Sequence, residues 1–161
     1  MEELSPLERI LGGVVLVGAT GMVQVMAQLT LSRMMDIFPT PRLSQHPTNY
    51  MLLHSVVAVL VLMGGHFLQV TLWALLYYYW GELGSFGRSF YFSLACFTTL
   101  GASELDLTPP HRIAGAVESA IGMLMFGWST ALLVRVVQRT WIRNLVLSFV
   151  RHSLLLTHCW C

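Results

Sequence analysis

Tyr91-Phe92-Ser93-Leu94-Ala95-Cys96-Phe97-Thr98-Thr99-Leu100-Gly101-Ala102-Ser103-Glu104 decides how this chain folds. It is a short apolar run that ends in a Thr-Thr-Leu-Gly turn and then a carboxylate. A helix from Phe86 to Thr98 would hold about 13 residues, too few to cross the roughly 30 Å hydrocarbon core of a bilayer. Ser85 or Ser89 is placed to cap it, because a serine oxygen can accept from the free N–H groups of a first helical turn.

The flanking segments are long enough to cross. Ile10 to Leu31 forms the first apolar stretch, with Pro6 just ahead of it, where a helix start tolerates proline. Gly12, Gly13, Gly18 and Gly21 make it small-sided, which lets membrane helices approach closely. Gln24 and Gln28 lie four residues apart on one face and suit bonds to a neighbouring helix. Pro39, Pro41 and Pro47 make Arg33 to Asn49 a loop.

The second stretch, Tyr50 to Gly81, would be about 48 Å long as one helix. It must tilt, leave the bilayer, or bend at Gly64-Gly65. Trp73, Tyr77, Tyr78, Tyr79 and Trp80 crowd its end, as interfacial aromatics do. The last span runs from Arg112 to Val137, after an irregular segment closed by Pro109-Pro110. In the tail, Arg139, Arg143 and Arg151 alternate with apolar residues, which suits either a surface-lying helix or a continuation of the last span.

The sequence thus divides into 1–49 (a spanning helix and loop), 50–138 (two spans around the short segment) and 139–161 (a basic amphipathic tail). The fold class is all-α integral membrane, with three transmembrane helices.

Composition agrees. Of 161 residues, 55% are hydrophobic and only 11% charged, against roughly 25% charged in a soluble domain. Glu2, Glu3 and Glu8 argue against a cleavable leader, which would be positive there. Three cysteines make no disulfide framework. No catalytic constellation and no nucleic-acid-binding motif is present, so enzyme and nucleic-acid roles are not expected.

The nine basic residues are all arginine. Three spans place Arg33, Arg42, Arg135, Arg139, Arg143 and Arg151 on one side, and Arg9, Arg88 and Arg112 on the other. The positive-inside rule then sets the N-terminus outside and the C-terminus in the cytoplasm, with Glu82, Glu104 and Asp106 outside.

The blocks Phe90-Tyr91-Phe92-Ser93, Thr98-Thr99-Leu100-Gly101 and Met125-Phe126-Gly127-Trp128-Ser129-Thr130-Ala131 resemble the ion-channel pore-domain superfamily, in its bacterial potassium-channel-like, single-pore-loop form. The resemblance covers about Trp73 to Gln138. It implies a re-entrant pore helix and filter loop between the last two spans, and four copies around an axis, because irregular backbone at membrane depth needs shielding. It also implies an inner-membrane location.

Thr98, Thr99, Leu100, Gly101, Ala102, Ser103 and Glu104 would then line the ion pathway, with Asp106 at the outer mouth. The resemblance makes Gly122 and Gly127 hinge candidates, although close packing would explain glycine there equally well. The filter is degenerate. Ala102 stands where the family has an aromatic brace, and Ser103 where it has a second glycine. The expectation is therefore a homotetrameric cation channel with altered or reduced potassium selectivity. Four Glu104 carboxylates would select monovalent, or even divalent, cations. The alternative is a non-conducting membrane subunit that keeps the fold for assembly with partners.

Of the other candidates, His54 and His66 project about 120° apart on an ideal helix and are not expected to share a metal. Glu118, inside the last span, is expected to make a structural bond. His158, Cys159 and Cys161 carry soft-metal donors, but their spacing is poor for tetrahedral ligation without outside ligands. No cofactor is expected.

Overall fold

The computed structural model describes residues 6–37, 47–101, 105, 107–109 and 111–158. These residues hold four helices: α1 (Pro6–Ile37), α2 (Pro47–Tyr79), α3 (Phe86–Phe97) and α4 (Arg112–His158). Three are long and apolar enough to cross a membrane, over Gly12–Asp36, Leu52–Tyr79 and Arg112–Arg139. The chain is an integral membrane protein, all-helical in its described residues.

The helices run past the apolar stretches that mark them in the sequence. α1 continues through Arg33 to Ile37, and α2 begins at Pro47, in the first turn where proline costs no hydrogen bond. α2 passes through Gly64 and Gly65 without interruption; Gly65 packs against Ala27, whose Cβ lies 3.6 Å from where a Gly65 Cβ would be. The basic tail continues α4 as one 47-residue helix, about 70 Å long at 1.5 Å per residue.

α1 buries Thr20, Gln24, Ala27 and Leu31, a single stripe at three- and four-residue spacing. Two apolar clusters hold the bundle. One joins Ala27, Leu31, Ala58, Leu62, Leu132 and Val136 of α1, α2 and α4. The other surrounds α3 with Val70, Trp73, Tyr77, Phe92, Cys96, Phe97, Ile121 and Met125.

A polar layer lies between these clusters. Gln24 Nε2 donates to Ser129 Oγ (2.9 Å), Gln69 Nε2 donates to Gln24 Oε1 (3.1 Å), and Ser129 Oγ meets His66 Nε2 at 3.0 Å. Nearby, Trp73 Nε1 donates to Thr20 Oγ1 (3.2 Å), and Trp128 Nε1 donates to Gln28 Oε1 (3.2 Å). Interhelical bonds of this kind give register to helices that hydrophobicity alone would let slide in lipid. Gln24 and Gln28 are thus bonded to neighbouring helices, as the sequence suggests, and so is His66.

Candidate functional site: the end of the short helix

α3 starts where Ser85 stops the preceding turn. Ser85 is extended (φ −147°, ψ 149°) and its Oγ accepts from Arg88 N–H at 3.4 Å. The helix has 12 residues, about 18 Å. It buries Ser89, Phe92, Ser93, Ala95, Cys96 and Phe97.

Three contacts fix α3 against α4 in parallel register. Phe92 and Cys96 pack on Gly115, where both side chains approach to 3.4 Å of an added Cβ. Ser93 Oγ bonds Glu118 Oε1 at 2.5 Å. The Phe97 carbonyl lies on Gly122, and a Cβ at that position would sit 2.0 Å from Phe97 O. Only glycine permits this approach. Close packing thus accounts for Gly122. Gly127 has nothing within 4 Å of an added Cβ.

Glu118 is fully buried and is the point where three helices meet. Tyr77 of α2 donates to its Oε2 at 2.8 Å, and Ser93 of α3, which also lies 2.9 Å from Val70 O, reaches its Oε1. Tyr77 packs edge-on against Phe92, centroids 5.2 Å apart. A buried carboxyl held by two hydroxyls satisfies groups that would otherwise be costly at this depth.

α3 ends in a tight turn. Thr98 N and Oγ1 both bond Leu94 O, at 3.0 and 2.7 Å. Thr99 N donates to Cys96 O (2.9 Å) and Gly101 N to Ala95 O (3.1 Å), so the turn satisfies carbonyls that a helix end leaves open. Thr99 adopts φ +60° and Gly101 φ +82°. Glycine takes that conformation freely. A β-branched threonine does not, and holding it there costs about 1–3 kcal/mol. Thr98, Thr99, Leu100 and Gly101 are all exposed, Leu100 at 79%. A strained, exposed turn thus sits on the tip of a helix that is otherwise well packed.

The chain then returns to the end of the bundle that it left. Glu82, between α2 and α3, accepts from Thr108 N (2.8 Å) and Thr108 Oγ1 (2.6 Å), and its Oε1 lies 2.6 Å from His111 Nδ1. Partial burial opposes ionisation of Glu82. The bonds from Thr108 and His111 outweigh it and hold the carboxyl below the usual carboxylate range. Glu82 therefore anchors the returning chain. His111 also stacks on Trp80 with ring centroids 4.3 Å apart.

This clasp is absent from the sequence reading. Its only sequence signal is a histidine after Pro109-Pro110, at the start of α4. Ala102, Ser103, Glu104 and Asp106 lie outside the described residues, as do Cys159 and Cys161. His158 closes α4, far along the chain from the turn. Among the described residues, no group of three metal-binding side chains occurs.

No curated protein and no solved structure matches the chain significantly. Residues 56–139, just over half of the chain, match the family described as Ion channel. That span runs from Val56 in α2, through α3 and its exposed turn, to Arg139 in α4, and the chain belongs to this ion channel family.

Proposed function

We propose that this protein is one subunit of a homotetrameric cation channel with altered or reduced potassium selectivity. α3 is its re-entrant pore helix, and the pathway passes Thr98 to Glu104. Asp106 stands at the outer mouth. The N-terminus is outside and the tail is cytoplasmic, in a plasma membrane of the bacterial inner type.

One observation carries this reading: the exposed turn from Thr98 to Gly101, strained at Thr99, on the buried end of a helix too short to span. Strain of this kind concentrates at functional sites. Within one chain, irregular backbone at that depth lacks the shielding it needs, and further copies supply it. Only 22%, 28% and 33% of the residues in the most apolar windows of the three spans are buried within the chain. Lipid and neighbouring subunits cover the rest.

The non-conducting alternative draws on Ala102 and Ser103, which replace the aromatic brace and second glycine of the family filter. Ion flux from purified protein in liposomes separates the two. Under potassium, sodium and calcium gradients, the channel reading expects cation flux with weak potassium preference, and a change in Glu104→Gln. Folded protein that passes none of the three cations would support the structural subunit.

A further inference from the structure

α1 lies wholly outside the residues matched to the family, yet it completes a cavity with two helices that the match covers in large part. A half-open cavity of about 300 Å³ lies between the ends of α1, α2 and α4 near the Glu82 clasp. That is the lower end of the range for small-molecule sites, with room for about ten groups the size of a water molecule at roughly 30 Å³ each.

Gly13 and Val17 of α1, Trp73 of α2, Trp80 just after its end, and Val117 of α4 form half of the wall. Its one strongly polar side chain is His111, at the head of α4. His111 is 9% exposed, and its Nε2 has no hydrogen-bond partner among the described residues. The other ring nitrogen is committed, since Nδ1 lies 2.6 Å from Glu82 Oε1. A carboxylate only accepts, so Nδ1 donates to Glu82, and Nε2 is left buried without a partner among the described residues.

The chemistry of the occupant follows. A buried water needs two to four polar partners, and this wall offers one unpaired histidine nitrogen besides indole edges. Of those, Trp73 Nε1 is already bonded to Thr20. A pure hydrocarbon would leave the histidine nitrogen unpaired. A charged headgroup would lack a counter-charge, because Glu82 is already bonded to Thr108 and His111. Val14 and Ile113, on the rim, are 64% and 73% exposed and face the apolar surroundings of the spans.

We propose that this cavity binds an uncharged amphiphile with a single hydroxyl group, drawn from the bilayer. The hydroxyl, which can donate or accept, pairs with His111 Nε2, and the apolar body lies between α1 and α4 against Trp73 and Trp80. Such a ligand is either a lipid with one free hydroxyl or a free long-chain alcohol.

Photolabelling of the whole protein in vesicles with a diazirine-bearing decanol, read by mass spectrometry, tests this. Label should concentrate on the peptides that carry Gly13–Val17 and Ile113–Val117. Unlabelled decanol should displace it, and decane should be about tenfold weaker, the effect of one hydrogen bond. Dioctanoylglycerol displaces the label if the natural ligand is a lipid, and only decanol does so if it is a free alcohol. Gly13→Leu has open space at the substituted position and should fill the cavity and abolish site labelling while the clasp stays intact. Label spread evenly over exposed positions such as Val56, Leu60 and Met123, or displacement by decane as strong as by decanol, would overturn the proposal. Both readouts on the unmodified protein stand whatever Gly13→Leu does to folding.

Discussion

Gly122→Ala is the sharpest perturbation this fold offers. The new Cβ would sit 2.0 Å from Phe97 O, 2.9 Å from Phe97 C and 3.2 Å from Phe97 Cα. Ordinary contact begins at 3.4 Å, so α3 and α4 must part by about 1.4 Å (3.4 − 2.0) at the last residue of α3. The obstacle is backbone and cannot rotate away. One turn earlier the same two helices share the Ser93–Glu118 bond at 2.5 Å, which that movement would stretch. Overpacking typically costs 1–3 kcal/mol and a strained hydrogen bond about 1 kcal/mol, so the loss should approach about 3 kcal/mol. It falls on the turn that carries Thr98 and Thr99. The assay is a thermal melt in detergent, paired with flux in liposomes. Gly122→Ala should melt well below the parent and lose flux. Gly127→Ala, with nothing within 4 Å of its new Cβ, should match the parent in stability. A Gly122→Ala protein as stable as the parent, altered only in how its flux opens and closes, would refute the packing argument and favour the hinge.

Three further outcomes follow from the same contacts. Glu118→Leu strands the buried Tyr77 hydroxyl and removes one of the two Ser93 contacts, and should cost about 1–3 kcal/mol in the same melt. Glu118→Gln keeps an acceptor and should lose much less. Gln24→Leu breaks two interhelical bonds and should cost roughly 1–3 kcal/mol at the strengths such bonds show in membranes, whereas Gln28→Leu, with one exposed bond, should change little. Glu82 has its folded pKa depressed, so its contribution is present above the unfolded carboxylate value of about 4.3 and is lost as pH falls through the folded value. The stability gap between the parent and Glu82→Gln should therefore hold steady at neutral pH and close only well below pH 4.3; a gap that does not depend on pH would contradict the ionised clasp.

Particular residues show how much of this was legible in the sequence. The short helix was visible because Ser85 and the apolar run after it bound a segment too short to span, and α3 occupies Phe86–Phe97 with Ser85 as its cap. The role of Glu118 was half visible: a carboxyl inside an apolar run must be bonded, but its spacing names no partner, and Tyr77 and Ser93 lie 41 and 25 residues away. The helix ends were less legible. Apolar stretches mark where lipid lies, while helices persist wherever good helix formers continue, as through Arg33 and the arginine-bearing tail. The left-handed Thr99 could not be foreseen, because β-branched residues avoid that conformation. The Glu82–His111 clasp joins residues 29 apart with no periodic signature, and only the path of the returning chain brings them together.

The central claim is that ions pass the turn after α3. Leu100, 79% exposed beside the strained Thr99, is the position to probe. Leu100→Cys, with Cys159 and Cys161 replaced by serine, should be recorded in a planar bilayer while a charged thiol reagent is applied. If the account is right, cation current is present and modification at residue 100 blocks or sharply reduces it. Current that persists unchanged after complete modification would place the pathway elsewhere and contradict the account.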